Sequence, residues 1–121
     1  MNKKIFTTTL VLALVLAVGI LFWGRDESKA NLDEFAQCLT DKGAVMYGAE
    51  WCAHCQNQKK EFGDSFRLVS YVECPQNTQT CLEKGISGYP TWILADGQKL
   101  VGEQELEKLS QKTGCALPQA K

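Results

Sequence analysis

Hydrophobic positions along this chain fall first into one unbroken run and then into short periodic blocks separated by glycine. Ile5 to Trp23 is an uncharged run whose only polar members are Thr7, Thr8 and Thr9. At about 1.5 Å per residue it reaches roughly 28 Å as a helix, near the thickness of a bilayer's hydrocarbon core. Lys3 and Lys4 precede it, which favours a cytoplasmic N-terminus and export of the downstream residues. Trp23 suits the membrane interface, and Arg25, Asp26, Glu27 and Lys29 open the aqueous side. The rival is a cleaved signal peptide, since Ser28-Lys29-Ala30 carries small residues where a peptidase would act. The length of the run and the charges before Ala30 favour an uncleaved anchor. Both readings export the rest of the chain.

The remaining pattern predicts alternating elements. Asn31, with Glu34 three residues on, is an N-cap signature, and Leu32, Phe35, Cys38 and Leu39 mark one helical face that Gly43 ends. Residues 44–49 read as a buried strand, followed by a helix from about Cys52 to Phe62 with Gly63 as its stop. A second strand is expected within Phe66 to Glu73, closed by Cys74-Pro75, then a short helix from Gln76 to Lys84. Thr91–Ala95 and Gln98–Val101 flank Asp96-Gly97, a strong hairpin signal. Glu103 to Lys112 is the last helix, with Leu106 and Leu109 inward and Glu103, Glu105, Glu107 and Lys108 on its solvent face. The order α-β-α-β-α-β-β-α implies parallel strands joined by crossovers and an antiparallel edge from the hairpin, an α/β sandwich. The expected organisation is an anchor over residues 1–24, a linker over 25–30, a domain over 31–115 and a tail over 116–121.

Composition narrows the function. A chain of 121 residues holds one domain. Its net charge of −1 gives no electrostatic case for nucleic-acid binding. Six cysteines behind a membrane segment point to an oxidising compartment. Two of them, Cys52 and Cys55, sit where a strand hands over to a helix. A cysteine at a helix N-terminus faces unpaired N–H groups and the positive end of the macrodipole, both of which favour its thiolate. Cys55 lies one turn on, close enough to form a disulfide with it. His54 places a donor, and at mildly acid pH a cation, beside the same sulfur. The stretch reads as a dithiol/disulfide redox site. Two other readings compete. Zinc would need Cys74 and Cys81 as the second half of its site, and their six-residue spacing is loose for that. A c-type haem would need histidine directly after Cys55, where Gln56 stands. No metal and no cofactor is expected.

Trp51-Cys52-Ala53-His54-Cys55 after a strand, with Gly88-Tyr89-Pro90-Thr91 before a hairpin, resembles the thioredoxin superfamily. Met46 to Cys55 together with Tyr71-Val72-Glu73-Cys74 resembles one branch, the thioredoxin-like domain fused to or working beside bacterial and plant homologues of vitamin K epoxide reductase. The resemblance spans about Asn31 to Gly114. It implies a thioredoxin-like fold with a central mixed sheet, behind one transmembrane helix. It also implies a monomeric extracytoplasmic enzyme acting on thiols of exported proteins, reoxidised by a quinone-linked membrane partner of the vitamin K epoxide reductase type. In that reading Cys52 attacks, Cys55 resolves, and Tyr89-Pro90 is a cis bond that faces them and, with Trp51, meets substrate. Cys74 and Cys81 are either a structural disulfide or a second redox pair. Cys38 and Cys115 are either a second staple or free thiols. Two departures stand out: Met46 occupies the place of thioredoxin's buried aspartate, leaving Glu50 or water to move protons, and Ala53-His54 replaces Gly-Pro. Histidine there resembles disulfide isomerase and DsbA-type oxidases.

Whatever stabilises the Cys52 thiolate stabilises the reduced state and makes the disulfide a better oxidant. Potentials run from about −270 mV in thioredoxin to about −180 and −120 mV in the histidine-bearing enzymes, and 90 mV is roughly 4 kcal/mol for two electrons. A helix terminus supplies about 0.5–2 kcal/mol and is common to both groups, so the histidine must carry much of the difference. An oxidase is expected. The rivals are a membrane-anchored reductase serving cytochrome maturation or disulfide repair, and a non-catalytic binding module.

Overall fold

The structure is a computed structural model that describes residues 3–22 and 31–119, with side chains on the first helix described for residues 8–18. That helix is α1 (Lys3–Phe22). Among the described residues no helix is long and apolar enough to cross a membrane. The anchor reading rests on the sequence of Ile5–Trp23, and Trp23 and the 25–30 linker lie outside the described residues.

The domain opens with α2 (Asp33–Asp41). The N-cap of this helix is Leu32, without a side-chain cap, and not Asn31 as expected; the Asn31 side chain accepts the Asp33 N–H at 2.9 Å in the turn that leads into the helix. Phe35, Ala36 and Leu39 form its buried stripe. Next come β1 (Val45–Gly48), α3 (Ala53–Phe62), β2 (Tyr71–Glu73), α4 (Thr78–Glu83), β3 (Thr91–Ile93), β4 (Lys99–Val101) and α5 (Leu106–Thr113). The four strands make one mixed sheet in the order β2-β1-β3-β4. Trp92 and Met46 on neighbouring strands are fully buried. Phe62 of α3 stacks between Phe35 and Trp92, with ring centroids 5.9 and 6.0 Å away. Helix and sheet therefore share one aromatic core.

Three expectations are corrected. First, residues 63–68 form a 3₁₀ turn, and β2 begins only at Tyr71. Arg67 reaches back to the Asp33 carboxylate at 2.6 and 2.8 Å, and Thr40 Oγ1 donates to the Leu68 carbonyl and accepts the Ser70 N–H. These bonds hold the chain against α2 until Ser70. Second, β3 runs antiparallel to β1, and only β1 and β2 are parallel. The six-residue α4 is too short to carry the chain back across the sheet, so β3 starts at the end where β2 stops. Third, α5 starts at Leu106 because Gln104 is held by the side chain of Gln58 on α3.

Two disulfides staple the domain. Cys38–Cys115 joins α2 to the segment after α5 across 77 residues, and Cys74–Cys81 closes a loop of 7. A cross-link restricts the unfolded chain more when its loop is longer, by about 4.5 kcal/mol for the first and about 2.4 for the second. Urea unfolding of C38S/C115S should therefore show a loss roughly twice that of C74S/C81S. Equal losses would mean that the staples act through native contacts instead.

Candidate active site

β1 points the chain at the site, and the turn after it is tied down on both sides. The Glu50 N–H donates to Glu73 Oε1 at 2.8 Å, and the Gln56 side-chain amide donates to the Glu50 carbonyl at 2.8 Å. Cys52 is the N-cap of α3, with extended backbone. Its sulfur takes the place of the usual capping oxygen, accepting the Cys55 N–H at 3.2 Å. One of the orphan donors of the helix is thus aimed at the sulfur, where negative charge is favoured. Both cysteines are free thiols.

The two sulfurs have unlike surroundings. Cys52 retains 9 % of its surface and Cys55 none. Burial, reinforced by its contact with Cys52, pushes the Cys55 thiol up to about 12, while Lys59 pulls weakly the other way. Gly48 at the end of β1 has to be glycine for space: a Cβ there would stand 2.9 Å from Cys55 Sγ and 3.3 Å from the Tyr71 hydroxyl. The Tyr89-Pro90 bond is cis, and the Tyr89 carbonyl lies 3.7 Å from Cys52 Sγ. The Trp51 ring, largely exposed, meets Tyr89 edge-on at 6.0 Å. Trp51, Cys52, Tyr89 and Pro90 thus come together, with Pro90 buried beneath.

His54 does not sit as expected. Among the described residues the hydrogen bond to the Cys52 sulfur comes from the Cys55 backbone, and none comes from His54. The imidazole Nδ1 is instead 2.5 Å from Glu103 Oε1, with the Asn57 amide donating to the same oxygen at 3.3 Å. The carboxyl of Glu103 is held below its ordinary value by this histidine. Glu103 is exposed as expected, but it lies before α5 and not on the helix, with its carboxylate against His54. Buried Gln58 of α3 puts it there. Gln58 Oε1 accepts the Gln104 N–H at 2.7 Å and the Trp92 indole N–H at 3.3 Å, while Gln58 Nε2 donates to the Gln104 carbonyl at 2.9 Å. Nothing in the sequence pairs residues 46 and 49 apart, so Gln58 and Glu103 were invisible to motif reading.

The sulfurs of Cys74 and Cys81 are bonded to each other, which removes them from any zinc site with Cys52 and Cys55. Cys38 and Cys115 are likewise paired. A surface cavity of about 1280 Å³ lies at the far end of α3, between Asp33, Lys60, Arg67 and Leu117, and contains none of these cysteines.

Residues 27–114 match the thioredoxin family model. The chain is 42% identical over 94 residues to the thiol-disulfide oxidoreductase LTO1 of Arabidopsis thaliana, covering 70% of this chain and 25% of that protein. It is 32% identical over 85 residues to a probable protein disulfide-isomerase A6 of Medicago sativa, covering 59% and 23% respectively. The chain thus spans about a quarter of the length of these curated relatives. Among solved structures, a single-site mutant of a thioredoxin from Halobacterium salinarum superposes with a TM-score of 0.50 at 23% identity, over 71% of this chain and 87% of that one, and shares the fold.

The unlike environments predict unlike reactivity. Iodoacetamide at pH 7 should modify Cys52 and leave Cys55 untouched until the pH approaches 12, as read by peptide mass; equal modification near pH 8 would contradict the geometry. Stability follows the same asymmetry. The unfolded chain loses the Cys55 proton near 9.0 and the folded chain keeps it to about 12, so above pH 9 the unfolded state binds fewer protons. Reduced protein should lose stability between pH 9 and 12, with a shallower loss in C55S.

Proposed function

This chain belongs to the thioredoxin family, and from that premise we propose that it is a protein thiol–disulfide oxidoreductase acting outside the cytosol. Substrate thiolate attacks Cys52 of the Cys52–Cys55 disulfide, Cys55 leaves, and a mixed disulfide forms; the substrate's second thiol then displaces Cys52 and carries the disulfide away. One observation carries the assignment: the sulfur of Cys52, the one residue of the pair that keeps any exposed surface, receives the Cys55 N–H, while Cys55 is fully buried one turn on. The first is built to be attacked and to leave as an anion. The Trp51–Tyr89 rim and the Tyr89 carbonyl beside Cys52 supply a seat for the incoming segment.

Oxidation is the favoured direction. The helix terminus and the Cys55 N–H favour the reduced, thiolate-bearing state, which makes the disulfide an oxidant. The histidine's contribution acts through space and is damped by Glu103, which favours a potential nearer about −180 mV than about −120 mV. That same contact favours the second reading, a reductase fed from the membrane, because a carboxylate on the imidazole opposes its effect on a thiolate. Residues 1–24 serve as the anchor in this proposal, and a vitamin K epoxide reductase-like membrane protein reoxidises the pair. The apolar run from Ile5 to Trp23 and the paired state of the four remaining cysteines support an exported domain.

Equilibration with glutathione should return about −180 mV; a value near −270 mV would select the reductase. Cys52→Ser should abolish insulin reduction and oxidative refolding, and retention of either would leave only a binding role. Cys55→Ala should trap mixed disulfides in cells, and their mass spectra should contain exported proteins and the quinone-linked membrane partner. Traps holding only cytosolic proteins would overturn the location.

A further inference from the structure

Cys55 has to carry a charge that its surroundings refuse. It must become a thiolate to resolve a mixed disulfide, and it must depart as one when substrate opens the Cys52–Cys55 bond. A buried thiol held at about 12 is ionised in roughly one molecule in 10⁵ at pH 7. A group that moves its proton in step with the sulfur would relieve this. Met46, fully buried and apolar, offers none. Glu50 is exposed, and its backbone N–H and carbonyl, not its carboxylate, are what the site uses.

The group beside Cys55 is Tyr71. Cys55 Sγ and the Tyr71 hydroxyl both crowd the position where a Gly48 side chain would begin, at 2.9 and 3.3 Å, so they lie no more than about 6 Å apart. The absence of a side chain on Gly48 keeps the way between them open. The Tyr71 hydroxyl donates to Glu73 Oε2 at 2.5 Å. Glu73 in turn is fixed by the Glu50 N–H on its other oxygen, at 2.8 Å. The Lys59 ammonium lies 4.0 Å over the Tyr71 ring and favours negative charge in this corner. The other charged or titratable groups facing the hydroxyl are Cys52, Cys55 and Glu73. Burial holds the phenol well above its ordinary value, so Tyr71 passes a proton along and does not keep a charge itself.

Resting on the oxidoreductase reading, the geometry points to Tyr71 and Glu73 as the proton relay of Cys55. In resolution, the Cys55 S–H proton passes through one water to the Tyr71 oxygen as Tyr71 hands its own proton to the Glu73 carboxylate. The Cys55 thiolate attacks Cys52 Sγ, the bond from Cys52 to the substrate sulfur breaks, and the substrate leaves as a thiolate that solvent protonates. The Cys52–Cys55 bond replaces the bond from Cys52 to substrate, so Cys55 goes from thiol to disulfide as the substrate sulfur goes from disulfide to thiol; over adduct formation and resolution together, two electrons pass from the two cysteines to the substrate disulfide. When substrate opens the disulfide the path reverses: a proton taken up from solvent at the Glu73 carboxylate passes through Tyr71 to the departing Cys55 thiolate. Tyr71 faces the reacting sulfur, and Glu73 is a positioning residue that acts through it.

Mixing reduced protein with oxidised glutathione, quenching in acid and weighing the species separates the two steps. Formation of the Cys52–glutathione adduct rises with glutathione concentration; its resolution by Cys55 does not. Tyr71→Phe keeps the ring under Lys59, and Glu73→Gln keeps an acceptor for the tyrosine but cannot take its proton. Both should leave the first step unchanged and slow the second about a hundredfold at pH 7, with the gap closing as the pH approaches 12. Resolution at the wild-type rate, or slowing that is the same at every pH, overturns the relay. Loss of both steps in the variants assigns the two residues to the fold and also overturns it. If wild-type protein forms no adduct at all, the oxidoreductase reading fails instead.

Discussion

A single backbone hydrogen bond, from the Cys55 N–H to the Cys52 sulfur, makes two identical side chains chemically different. It exists because Cys52 occupies the N-cap of α3, where a helix leaves donors without partners. Polar side chains usually fill that place with oxygen. Here sulfur fills it, and a thiolate gains from the donor what a thiol does not. Three residues on, the same helix buries Cys55 against the end of β1, where charge is disfavoured. The proposed exchange chemistry follows from that contrast.

Most of the remaining structure keeps the helix terminus where it is. Phe62 at the far end of α3 is locked between Phe35 and Trp92. Gln58, midway along, ties the helix to the loop between β4 and α5 and to the core tryptophan. That clamp brings Glu103 against His54, and so an electrostatic adjustment of the site is carried by a residue far away in the chain. The exposure of this pair, 73% for the histidine side chain and 32% for the glutamate, keeps its strength modest. Glu103 therefore moderates the histidine's influence at the site without removing it.

The dithiol was legible because its chemistry lies within four consecutive residues, and the strand before it and helix after it announce themselves by period. The cis bond at Tyr89-Pro90 was legible from the resemblance, since the turn sequence travels with the fold. What escaped reading was set by distant contacts. Residues 66–68 look like the start of a strand, but Arg67 is drawn to Asp33 and Thr40 bonds Leu68 and Ser70, so they curl into a 3₁₀ turn. β3 alternates like any strand, and its antiparallel direction follows from how short α4 is. His54 was expected on the Cys52 sulfur because it is adjacent in sequence; a carboxylate 49 residues away holds it elsewhere. Tyr71 and Glu73 read as strand residues and as part of the resemblance, with no role of their own, though Tyr71 ends up near the buried cysteine with Glu73 bonded to it.

The unlikeness of the two sulfurs can be measured directly by following thiolate absorbance in the ultraviolet as reduced protein is titrated upward in pH. The thiolate of Cys55, identified as the absorbance lost in Cys55→Ser, should rise only toward about 12. A Cys55 thiolate that emerges near pH 9 would contradict the account.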